Sequence, residues 1–166
     1  MKVLYSSLIL IGFIFFIACN KGPSQEELNK YLEAIADQEN QVLQKLNDLI
    51  DVYDSFNSTG ELQEAYKAVY TQLDKSEKAV KNIKGFEEDD VLKASALEFF
   101  SEIESLLDNE HKRIIELYSM PDDQFKDKEQ AELESLRDSA SKKADTIMSK
   151  AEKAYSTFES KYVKSK

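Results

Sequence analysis

Cysteine and histidine each occur once in the 166 residues, proline twice, glycine four times and tryptophan not at all. One cysteine leaves no internal disulfide, so the fold must be held by its core alone. One histidine is too few for the pair of Glu-x-x-His motifs with which helical bundles bind two irons. Beyond the first 22 residues the only glycines are Gly60 and Gly85, and neither belongs to a glycine-rich phosphate loop. No Ser-His-Asp arrangement stands out. Positive charge is also short: 22 Lys and Arg against 32 Asp and Glu give a formal charge of −10. That balance disfavours nucleic acid, which needs Lys/Arg stripes, and it opposes flat binding to anionic lipid. A charged partner is therefore expected to be basic or cationic, unless the acidic groups serve only to solvate helix faces.

Few helix breakers and many Glu, Lys, Ala, Leu and Gln residues point to long helices. Ser24 with Glu27 has the spacing of a capping box. Leu28, Leu32, Ile35, Val42, Leu46, Leu49, Tyr53 and Phe56 follow in steps that keep them on one helical face. "NSTG" interrupts this pattern, and Ser58 or Thr59 can cap a second helix with a stripe from Leu62 to Ile83. Lys84-Gly85 predicts its end, with the glycine as a left-handed cap. Asp89 is the expected cap of a third helix. Its stripe, from Leu92 through Phe99, Phe100 and Ile103 to Leu117, is the bulkiest and is expected to be the most buried. After Pro121, Asp122 or Asp123 is expected to cap a fourth helix, Ala-rich in its middle and running to about Tyr162. Short connections make successive helices antiparallel. The expected fold is all-α: an up-down-up-down four-helix bundle of long, unequal helices over residues 24–166.

The first 23 residues read differently. Lys2 precedes an apolar run from Val3 to Ile17, and small Ala18 precedes Cys19. This is the layout of a secretory signal peptide, and the run falls short of the roughly 20 residues of a membrane span. Phe16-Ile17-Ala18-Cys19 resembles the lipobox of bacterial lipoproteins, with phenylalanine where leucine is usual. The resemblance implies cleavage after residue 18, a lipid on Cys19, and a tether over 19–23. It also implies a location in the cell envelope, at the outer membrane, with the periplasmic and surface faces both open. More broadly, the layout resembles small all-helical surface lipoproteins.

Few residues suggest chemistry. Glu39 falls where the first stripe should be apolar, four after Ile35 and three before Val42. It sits either at a local rotation of the stripe or in a polar layer with Glu110 or His111 as partner. His111 stands one turn after Asp108 and is expected to be partly exposed. Tyr31, Tyr53, Tyr66, Tyr70 and Tyr118 either rim the core or line a crevice between helices. No cofactor, metal or catalytic group is expected. The sequence favours a non-catalytic binding module, with an envelope spacer or a small-ligand or metal-binding bundle as alternatives.

Overall fold

The computed structural model describes residues 24–56 and 58–162. The leader, Cys19 and the tether lie outside them. Among the described residues there is no strand, and five helices form four rods. α1 spans Gln25–Asp54, α2 Thr59–Asn82, α3 Val91–Leu106, α4 Lys112–Tyr118 and α5 Asp127–Tyr162. A π turn, Leu107–His111, joins α3 to α4 as the third rod.

Local chemistry sets most of the boundaries. Ser24 Oγ accepts from the Glu27 N–H at 3.2 Å, and Glu27 Oε2 accepts from the Ser24 N–H at 2.9 Å, completing the capping box. Ser58 Oγ accepts from the Glu61 N–H at 3.2 Å and starts α2. Asp89 Oδ1 accepts from the Val91 N–H at 2.9 Å, so its carboxylate serves the start of α3, although Asp90 is the residue at the cap position.

Three expectations fail at the ends of elements. Gly85 is not left-handed; Glu87 (φ 51°) and Glu88 (φ 65°) are. Gly85 is instead a close approach, because a Cβ there would press on the Asp90 carboxylate and lie 3.2 Å from the Asp89 carbonyl. The last helix starts at Asp127, not after Asp122 or Asp123. The Gln124 and Phe125 N–H groups turn back onto the Pro121 carbonyl, which uses that segment as a turn. Phe56 leaves the first stripe, 41% exposed beyond the end of α1, where it lies 5.3 Å from the Tyr118 ring.

Side-chain pairs fix the directions. Gln72 donates to Gln41 and Ser76 to the Gln38 carbonyl, so α2 runs against α1. Tyr66 donates to the Leu107 carbonyl and Tyr70 to Asp108, which packs α2 on the third rod, and the short connection over 83–90 turns the third rod back against α2. Lys150 pairs with Glu102 and Glu132 with Arg113, so α5 runs against the third rod. The bundle is up-down-up-down. Its core centres on the third rod, where Leu92, Ala96, Ile103, Leu107 and Leu117 are all but sealed from solvent. One end is closed by Tyr31, Phe86, Phe158 and Tyr162, with ring centres 4.9 to 6.1 Å apart. Lys161 and the Val91 N–H hold the Asp89 carboxyl below its ordinary range there.

α5 packs closely on α3 but scarcely approaches α1. Its Ala-rich middle packs on α3 and leaves a groove on its α1 side.

Candidate functional site

That groove has a cavity volume of about 190 Å³. Ala36 and Leu43 of α1, Phe99 of α3, and Met148 and Ala151 of α5 make its apolar surface. The rim carries Asn40, Glu152, Ser156 and Glu159, and among the described residues no lysine or arginine lines it. The stripe spacing explains the geometry. Ala36 and Leu43 are one position beyond the buried Ile35 and Val42, so they face the flank of α1 rather than its core side. Across from them, alanine at position 151 leaves open the space a larger side chain would fill.

Glu39 lines the groove and is 7% exposed. Its Oε2 accepts a 2.9 Å hydrogen bond from the Tyr155 hydroxyl. Oε1 has no hydrogen-bond partner among the described residues and, unlike Glu110 Oε2, is not sealed from the groove's solvent. Burial pushes the Glu39 carboxyl up to about 7, against the opposing pull of the Tyr155 hydrogen bond. The same burial, with the Glu39 charge beside it, keeps Tyr155 in its neutral donor form far above neutral pH.

Glu110 and His111 form a second polar cluster in the π turn. His111 is 3% exposed, so the expected surface histidine is an interior one. Its position three residues before Ile114 and four after Leu107 accounts for that. His111 Nδ1 lies 3.0 Å from the Tyr53 hydroxyl, and the two rings stack at 5.8 Å, with the Tyr118 ring also stacked on Tyr53 at 5.7 Å. Burial pushes His111 down to about 4, so it is neutral at pH 7. Glu110 Oε1 accepts from Lys143 and, at 3.4 Å, from Ser139, while Oε2 is buried without a partner.

The two clusters are separate. Glu39 meets Tyr155, whereas His111 meets Tyr53, 14 positions further along α1, or about 21 Å of helix. Glu39, Glu110 and His111 are all buried, but they do not form one polar layer. Of the five tyrosines singled out, Tyr31 and Tyr53 are core, and Tyr66, Tyr70 and Tyr118 are half-buried away from the groove. The groove's tyrosine is Tyr155. Its signal was its place beside the stripe residue Ala154, facing a polar break in the stripe of α1. Among the described residues, no three of His, Cys, Asp and Glu are placed to hold a metal ion, and no helix is long and apolar enough to cross a membrane. No family model, curated protein or solved structure matches the chain.

Proposed function

We propose that the chain is a non-catalytic, lipid-anchored binding protein of the bacterial envelope, held at the outer membrane through Cys19. Its α1–α5 groove receives an apolar group of the molecule it binds. The groove carries this reading. Helical bundles normally close the seam between neighbouring helices, and here the apolar flank of α1 is left open opposite Ala151. The one histidine is already engaged with Tyr53, which supports binding over catalysis. The lipobox-like Phe16-Ile17-Ala18-Cys19 supports the anchor.

The test uses toluene, a neutral single-ring probe of the size the groove admits, titrated by calorimetry into a Cys19→Ser chain so that no lipid competes for it. The binding heat should saturate. Ala151→Phe or Ala36→Phe, each of which fills the groove, should abolish that heat. Equal binding by both filled variants and the unfilled chain would refute groove binding.

A further inference from the structure

Three features of the groove act together. The first is its apolar surface, led by Phe99, Leu43 and Met148. The second is Glu39, whose burial leaves one oxygen bonded to Tyr155 and the other without a protein partner. The third is the sign of the rim, where Glu152 and Glu159 are the only charged groups among the described residues. A carboxylate out of water is costly until its oxygens meet donors, and a cationic donor meets that need best. The Tyr155 hydroxyl satisfies half of it.

We infer that the groove is a site for a small apolar amine, with the hydrocarbon part on Phe99, Leu43 and Met148 and the ammonium group on Glu39 Oε1. This inference rests on the groove reading above and names its ligand class. Glu152 and Glu159 extend the selection by drawing cations to the mouth and repelling anions. Size narrows the class further. About 190 Å³ exceeds the roughly 150 Å³ of an apolar cavity that admits benzene, and falls below the roughly 300 Å³ where drug-sized pockets begin. One ring or a short alkyl chain fills it. Tyr155 is a positioning residue that fixes the carboxylate by one oxygen and leaves the other presented to the ligand.

Benzylamine and benzyl alcohol share a ring and differ in charge. Calorimetric titration of the full-length protein in lipid nanodiscs, with empty discs subtracted, compares them. Benzylamine is expected to bind at least ten-fold more tightly, and benzoate not to bind. Glu39→Gln should bring the two affinities within about two-fold of each other while leaving benzyl alcohol unchanged. Tyr155→Phe should reduce the preference without removing it. Equal binding of amine and alcohol by the unaltered protein would overturn the amine inference and leave the groove reading standing. Failure of both to bind would overturn the groove reading as well. A preference for the amine that survives Glu39→Gln would place the cation elsewhere and refute the role of Glu39.

Discussion

Replacing Glu39 by glutamine should stabilise the fold, by an amount set by pH. A glutamate carboxyl ordinarily titrates near 4.5, and burial in the groove raises Glu39 to about 7. Below pH 4.5 both the folded and unfolded chains are protonated at this position, and its contribution to stability is fully present. As pH rises, the unfolded chain ionises first while the folded chain resists. Stability is lost progressively through pH 7, and then levels off. At about 1.4 kcal/mol for each pH unit between the two values, the loss reaches about 3 kcal/mol. Glutamine does not titrate, and its carbonyl can still accept from Tyr155. The variant and the unaltered protein should therefore match near pH 4, and the variant should lead by about 3 kcal/mol at pH 8. Urea unfolding followed by circular dichroism at both pH values measures the gap. A gap that does not change with pH, or an unaltered protein that is the more stable at pH 8, would refute the reasoning. A stability penalty held in place at a groove is what a functional carboxylate imposes on its fold.

Other outcomes follow from the same geometry. Ile103→Ala, at a sealed position of the third rod, should cost about 2–5 kcal/mol and lower the urea midpoint accordingly. His111 is neutral when folded and its value is depressed to about 4, so its stabilisation is present above pH 6.5 and lost as pH falls through 4. In a Glu39→Gln background, which removes the opposing slope, His111→Gln should flatten unfolding stability between pH 6.5 and 4. Glu88 has φ of 65°, and Glu88→Gly should stabilise by about 0.5–1 kcal/mol, the relieved strain less the added freedom of the unfolded chain, read as a higher melting temperature. Cys19→Ala should release the protein from the membrane fraction or block its maturation, as seen by cell fractionation and immunoblotting.

Much of the bundle was legible because its signals are local. Ser24 with Glu27, Ser58 before Glu61, and stripes at steps of three and four each follow from one stretch of chain. The third rod's central place was legible in its bulk. The start of α5 was not, because Asp122 and Asp123 have the chemistry of caps, and only the turn of Gln124 and Phe125 onto Pro121 shows that they do not serve as caps. The π turn has no sequence signature in Leu107–His111, since a single wide turn leaves the stripe spacing almost unchanged. Glu39 stood out as a carboxylate on an apolar face, whereas its partner Tyr155 lies 116 positions away. Pairings of that kind depend on which helices face each other. The groove is legible least of all, because small residues such as Ala151 serve close packing and open space equally well.

Methionine methyl resonances offer the most direct test of the open groove. The chain has three methionines, of which Met148 lines the groove and Met120 packs at the turn after α4. With carbon-13 methyl-labelled full-length protein titrated with benzyl alcohol, the account requires the Met148 resonance to shift and saturate while Met120 stays in place. A static Met148 signal, or equal movement of both, would contradict it.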